Sequence, residues 1–229
     1  MLRAIIFDMD GVICDSEDLH MQAFQDVLNQ QSLAITDQEY YDNYLAHDDR
    51  GSFEAALRDH GRPLPDAQQM KNLLIQKSKA FDTLMKSDLV IFPGVEAFVQ
   101  KAATKYSVAL ATGARRLEAE YVLKKAKLRD VFAAVVSADE VKVGKPEPEA
   151  FERALALMNQ SRLSGTPEIQ PSEVVVIEDS PRCIRTAKRL GMKTVGMATS
   201  YKPDDLREAD LVIDSFVGFS LEPLERLFV

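Results

Sequence analysis

The sequence predicts an α/β protein with a doubly wound parallel sheet, broken once by an inserted all-helical domain. Short apolar runs recur along the chain, and stretches of helical apolar periodicity separate them. One long stretch shows helical periodicity with no β-like run inside it. Strands alternating with helices require a parallel sheet with helices on both faces.

The first run, Ala4-Ile5-Ile6-Phe7, stops at Asp8-Met9-Asp10-Gly11, as a buried parallel strand does when it ends in a loop. From Ser16 to Asp88 nothing like it follows. Leu19, Ala23, Phe24, Val27 and Leu28 mark one helical face there, and Met70, Leu73, Leu74, Phe81, Leu84 and Met85 mark another. The turn-rich His60-Gly61-Arg62-Pro63-Leu64-Pro65 separates two of these helices, and Pro93-Gly94 marks the return to α/β organisation. Further strands are expected at 108–111, 133–136, 174–177, 194–197 and 211–213. Between them, Ala150, Phe151, Ala154, Leu155 and Met158 form one helix face, and Ile184, Ala187 and Gly191 another. The polar stretch from Asn159 to Ser172, with Gly165, Pro167 and Pro171, reads as a surface loop. Removing 16–88 leaves 156 of the 229 residues, close to the ~150 of one average domain. The expected organisation is therefore a core of 1–15 and 89–229, with a helical insert of 16–88.

Composition narrows the setting. Hydrophobic residues are 46% and charged residues 28% of the chain, as in soluble globular proteins. The longest apolar run, 131–136, has six residues, against the roughly 20 of a membrane span. Asp8 and Asp10 interrupt the only apolar run near the N-terminus, so no signal peptide is expected and a cytoplasmic location is. A net charge of −8 offers no basic surface to nucleic acid or anionic lipid. Cys14 and Cys183 are too few for a disulfide framework and have no zinc-site spacing; they read as buried small hydrophobes in a reducing compartment.

In an open α/β sheet, ligands bind outside the carboxyl ends of the strands. Asp8 and Asp10 follow the first strand, Thr112-Gly113 the second, Gly144-Lys145-Pro146 the third after a short loop, and Glu178-Asp179-Ser180 the fourth. Singly, each has an ordinary explanation: turn carboxylates, a helix cap, a solvated lysine, or a helix start before Pro181. Together they bring four acidic groups, a hydroxyl and an ammonium to one edge. Carboxylates gathered at one point repel one another unless a cation sits among them. Oxygen ligands with no His or Cys nearby point to Mg²⁺. Gly144-Lys145 is not a Walker A loop, since Asp139 holds the earlier glycine position and Pro146 the Ser/Thr position; no G-x-G-x-x-G follows a strand.

The string Phe7-Asp8-Met9-Asp10-Gly11-Val12, then Thr112, Gly144-Lys145-Pro146 and Glu178-Asp179-Ser180, resembles the haloacid dehalogenase-like phosphohydrolases over essentially the whole chain. The likeness is closest to the branch holding β-phosphoglucomutase, phosphoglycolate phosphatase and related sugar-phosphate phosphatases. It implies a Rossmann-like core with a mobile helical cap, and Mg²⁺-dependent hydrolysis of a small phosphorylated metabolite through an aspartyl-phosphate. By the resemblance, Asp8 is the nucleophile and Asp10 the acid/base that also lends its backbone carbonyl to the metal. Thr112 and Lys145 hold the phosphoryl group beside Gly113, and Glu178 and Asp179 join Asp8 around Mg²⁺. Asp10 argues against carbon–halogen chemistry, because true dehalogenases lack that second acid. A monomer or weak homodimer is expected.

His20 and Arg50 fall where the mutase branch places cap residues near its substrate, although Arg50 also reads as one charge of the turn Asp48-Asp49-Arg50 and His20 as a packing residue. The mutase asparagine four residues past the second-motif hydroxyl is Arg116 here, and the mutase lysine–asparagine pair is not reproduced around Gln76-Lys77-Ser78-Lys79. Arg115 and Arg116 offer guanidinium groups to a carboxylate or second phosphate. Cys183 stands where the family usually has glycine. These departures favour a phosphatase; a sugar phosphomutase and a non-catalytic phospho-ligand sensor are the alternatives.

Overall fold

The computed structural model describes residues 1–45, 47–163 and 165–229. They form two compact units, Met1–Asp15 with Val90–Val229, and Ser16–Leu89.

The first unit begins with β1 (Ala4–Phe7), which pairs in parallel with two later strands, Ile5 opposite Val108 on one side and Val175 on the other. The chain leaves this unit through β2 (Cys14–Asp15) and, after α1 (Glu17–Gln30), α2 (Asp37–Asn43), α3 (Asp49–Asp59) and α4 (Ala67–Asp88), re-enters through β3 (Val90–Ile91). There follow α5 (Val95–Ala103), β4 (Ser107–Ala111), α6 (Arg116–Lys125), β5 (Ala134–Val136), α7 (Glu149–Gln160), β6 (Val174–Glu178), α8 (Pro181–Arg189), β7 (Lys193–Met197), β8 (Leu211–Ile213) and α9 (Glu222–Arg226). The sheet order is β5-β4-β1-β6-β7-β8 and every pairing is parallel. The winding reverses at β1, between β4 and β6, and open α/β sheets bind ligands at such a point.

Strands covered on both faces need no alternation, and this accounts for the unbroken apolar runs. Ala4 and Ile6 of β1 pack into a core with Phe151, Ala154 and Met158 of α7 and Ala187 of α8. Phe7 turns to the opposite layer, edge-on to Phe98 of α5 at 6.3 Å and to Phe132 at 5.9 Å. Gly94 carries φ +84°, and a Cβ there would stand 2.9 Å from the Phe216 carbonyl carbon, so only glycine fits this entry into α5.

β2 and β3 form a two-residue antiparallel ribbon, Cys14 opposite Ile91 and Asp15 opposite Val90, too short to leave a period in the sequence. The expected 159–172 loop is trimmed at both ends: Asn159 and Gln160 finish α7, and Pro171–Glu173 form a 3₁₀ turn. The Asn159 amide brackets Ile169, donating to its carbonyl at 3.1 Å and accepting its N–H at 2.8 Å.

The second unit is wholly helical among its described residues. Phe24, Val27, Tyr44, Phe53 and Met70 share one core, with Phe24 and Phe53 ring centres 4.8 Å apart. Two of its helices, α2 and α3, are short and polar. They are set by their caps: Thr36 and Glu39 exchange hydrogen bonds in a capping box, and Asp48 accepts the Gly51 N–H at 2.8 Å. Asp66 and Gln69 cap α4 in the same way. Because α4 runs through Asp88 and buried Leu89 stays with this unit, the boundary lies one residue later than expected. Among the described residues, no helix is long and apolar enough to cross a membrane.

Candidate active site

Backbone hydrogen bonds tie the carboxyl end of β1 to β6 and that of β4 to β5. The Asp8 N–H donates to Ile177 O at 2.9 Å, and the Thr112 N–H donates to Val136 O at 2.9 Å. Glu178 is the last residue of β6, and Asp179 follows it directly.

Lys145 arrives from the loop beyond β5. Its Nζ donates to Asp8 Oδ1 and to Glu178 Oε1, both at 2.7 Å, and stands 5.0 Å from the centre of the Phe151 ring. Glu178 is fully buried; its other carboxylate oxygen accepts the Ser180 N–H at 2.9 Å, and the Cys183 thiol also donates to it. Asp8, Glu178 and Asp179 each bring an oxygen within 4.8 Å of the others.

The electrostatics follow from burial. Desolvation drives Asp8 up to about 7, with Glu178 and Asp10 adding to the rise and Lys145 opposing it. Asp179 is raised well above the usual carboxylate range by burial, then by Glu178 and Asp8. Burial works against the Lys145 charge, but Asp8 and Glu178 outweigh it and hold the ammonium well above its ordinary value. Three buried carboxylates against one ammonium leave an excess of negative charge. An all-oxygen donor set of this kind fits a hard divalent cation.

Asp10 lies two residues past Asp8 in a tight loop braced by its own backbone. The N–H groups of Val12, Ile13 and Cys14 all donate to Met9 O, and Asp10 bridges to Cys14. Thr112 is 1% exposed and its Oγ1 accepts the Ala114 N–H at 3.0 Å, while a Cβ on Gly113 would meet nothing within 4 Å. Backbone at Gly113 thus borders open space beside a buried hydroxyl. The helix α8 is regular around Cys183, so a residue larger than the family's glycine does not disturb it. Burial pushes that thiol far up, which keeps it protonated and unreactive.

Arg116, a candidate substrate contact by sequence, opens α6 among acceptors of the protein itself. Its guanidinium donates to Glu120 at 2.9 Å, to Val135 O at 3.0 Å and to Glu140 at 3.2 Å. It ties α6 to β5 and to the loop beyond it. Arg115 is spent on Glu118, in the capping box that opens α6.

His20 and Arg50 belong to the helical unit and differ sharply. Arg50 is half exposed, with Glu54 3.9 Å away. His20 is partly buried, its ring stacked on Phe81 at 4.0 Å and its Nδ1 2.7 Å from Lys77 Nζ. Burial first, and the Lys77 ammonium second, hold its pKa well below the ordinary value, so Nδ1 is a neutral acceptor. Lys77 is 3% exposed and also donates to Asp49 at 2.6 Å. The sequence reading gives Lys77 no role beyond its place in Gln76-Lys77-Ser78-Lys79. Its signal was present: it lies four residues from both Leu73 and Phe81, a charge inside an apolar stripe.

Residues 5–197 match the family described as haloacid dehalogenase-like hydrolase. The chain is 30% identical over 204 residues to a phosphorylated carbohydrates phosphatase of Thermotoga maritima, covering 85% of this chain and 84% of that one. It is 25% identical over 229 residues to the β-phosphoglucomutase of Bacillus subtilis, covering 98% and 95%. A solved β-phosphoglucomutase of Clostridium difficile superposes with a TM-score of 0.82 at 22% identity, over 100% of this chain and 97% of that one, a likeness of fold.

Proposed function

The chain belongs to the haloacid dehalogenase-like hydrolases, and on that premise we propose that it is a phosphatase of a small phosphorylated metabolite, a sugar phosphate or a phosphoglycolate-like ester. The observation that carries the reading is the Lys145 ammonium shared between Asp8 and Glu178, with Asp179 completing a carboxylate cluster at the sheet edge.

In this reading Asp8 attacks phosphorus and the ester P–O bond breaks, with Asp10 giving its proton to the leaving alkoxide. Asp10, now a carboxylate, takes a proton from water; the water oxygen attacks phosphorus, and the bond to Asp8 breaks to release phosphate. Thr112 donates to a phosphoryl oxygen, Gly113 lets it come close, and Lys145 neutralises its charge. Asp8, Glu178, Asp179 and the Asp10 carbonyl would hold Mg²⁺, which supplies charge stabilisation to the transferring phosphoryl group. Asp8 must be ionised to attack, while Asp10 must be able to hold a proton, so the reading requires unlike environments for the two. The helical unit, Ser16–Leu89, is proposed to choose the substrate, with His20 and Arg50 as its candidate contacts.

Occupation of Arg116 by Glu120, Glu140 and Val135 supports hydrolysis over mutase chemistry, since it leaves no free side chain where the mutases carry an asparagine. The test is phosphate release from a panel of sugar phosphates, phosphoglycolate and nucleotides with Mg²⁺, expected to show turnover of a sugar phosphate or phosphoglycolate. A parallel incubation uses β-glucose 1-phosphate with a bisphosphate primer. Glucose 6-phosphate outrunning free phosphate would make the protein a phosphomutase, and Mg²⁺-independent silence throughout, p-nitrophenyl phosphate included, would make it a sensor.

A further inference from the structure

One pair of hydroxyls at the same sheet edge has no part in the chemistry proposed above. β7 lies beside β6, and the chain leaves β7 through Ala198, Thr199 and Ser200. The Thr199 hydroxyl donates to Gly11 O at 2.5 Å, a contact between residues 188 apart in the sequence. The Ser200 hydroxyl is hydrogen-bonded to the Asp179 carboxylate. Gly11 joins the two contacts. Its φ is +73°, and a Cβ there would lie 2.1 Å from Asp179 Oδ2 and 2.9 Å from Ser200 Oγ.

Gly11 is therefore fixed on three sides: its N–H donates to Cys14 O at 2.9 Å, its carbonyl accepts from Thr199, and its Cα rests against Asp179. The residue bonded to its nitrogen is Asp10. A shift of the Gly11 peptide would swing the Asp10 carbonyl and carboxyl together. A lever this short leaves little slack, and sub-ångström placement is what proton transfer requires.

We propose that the Thr199-Ser200 turn positions this site from outside the four motifs. Thr199 locks the peptide beside Asp10, and Ser200 orients the Asp179 carboxylate toward the metal. Neither residue touches the reacting atoms. The inference rests on the phosphatase reading, and the two make different demands on experiment. Outer-layer hydrogen bonds to metal ligands characteristically change affinity or activity by about 10–100-fold.

The test compares Ser200→Ala, Thr199→Val and the conservative Thr199→Ser with the wild type. Mg²⁺ affinity is measured by calorimetry on the substrate-free protein, and kcat and KM with p-nitrophenyl phosphate. Ser200→Ala is expected to weaken Mg²⁺ about tenfold while kcat at saturating Mg²⁺ stays near that of the wild type. Thr199→Val is expected to lower kcat about tenfold with KM little changed, and Thr199→Ser to restore it. Wild-type Mg²⁺ affinity and wild-type kcat in both deletions would overturn the positioning role alone. A failure of Thr199→Ser to recover kcat would likewise remove the hydroxyl from the account. A wild-type protein that neither binds Mg²⁺ nor releases phosphate would overturn the phosphatase reading, and this inference with it.

Discussion

Lys145 Nζ lies 2.7 Å from Asp8 Oδ1, so the ammonium that opposes the rise in the Asp8 pKa is also the one proposed to neutralise an incoming phosphoryl oxygen. Removing it leaves Asp8, Glu178 and Asp179 clustered without their ammonium. Lys145→Met is expected to lower kcat by about 10²–10³-fold, the usual cost of one preorganised charge donor. It also raises the pKa of Asp8 further, so the ascending limb of the kcat/KM profile moves to higher pH. An unmoved limb would detach Lys145 from Asp8 in function.

Asp8 stands near 7 against an ordinary 3.8, which fixes the sign of its effect on stability. The folded state holds the proton more tightly than the unfolded chain. Stability is therefore lost as pH rises from about 4 through about 7, and the cost is complete above that window. Asn carries no charge and escapes it. Asp8→Asn is expected to abolish phosphate release and, in metal-free buffer at pH 7.5, to melt above the wild type by a few degrees. Turnover by this variant would refute the nucleophile, and a lower melting temperature would refute the electrostatic account of Asp8.

The same surplus of negative charge predicts a response to metal. Mg²⁺ added to the chelator-treated protein at about 100 times its Kd should stabilise the folded state by about 2.7 kcal/mol. Scanning calorimetry would read this as a rise of several degrees in the melting of the unit that carries Asp179. Asp179→Asn removes a cluster oxygen charge, and its rise should be largely lost. Equal rises in wild type and variant would place the bound ion elsewhere.

What could be foreseen in the sequence, and what could not, divides along physical lines. The strands were legible because burial on both faces leaves uninterrupted runs such as Val174-Val175-Val176-Ile177, and the site because each motif follows such a run. The β2–β3 ribbon was not, since two residues cannot show a period. Capping chemistry at Thr36, Glu39 and Asp48 was visible in the letters, but α2 and α3 carry too few apolar residues to draw attention to it. The pairing of Arg116 with Glu120 and Glu140 was not legible, because it depends on the packing of α6 on the loop after β5. Thr199 and Ser200 had no local signal at all. Their meaning comes from Gly11, at the other end of the chain.

The helical unit carries its own titration. His20 is neutral because its ring is packed on Phe81 and its Nδ1 accepts from Lys77, which in turn donates to Asp49. An unfolded chain takes up a proton at this histidine below pH 6.5, and the folded one does so only at lower pH. Folding then loses stability as pH falls through that window, at no more than about 1.4 kcal/mol per pH unit. Above pH 6.5 the contribution is fully present. His20→Gln keeps an acceptor for Lys77 but has no proton to bind, so melting of its helical unit, followed by circular dichroism between pH 7 and pH 5, should fall less steeply than in the wild type. Parallel slopes in the two proteins would mean that the acid sensitivity arises at carboxylates instead, and His20 would lose its place as the buried neutral partner of Lys77.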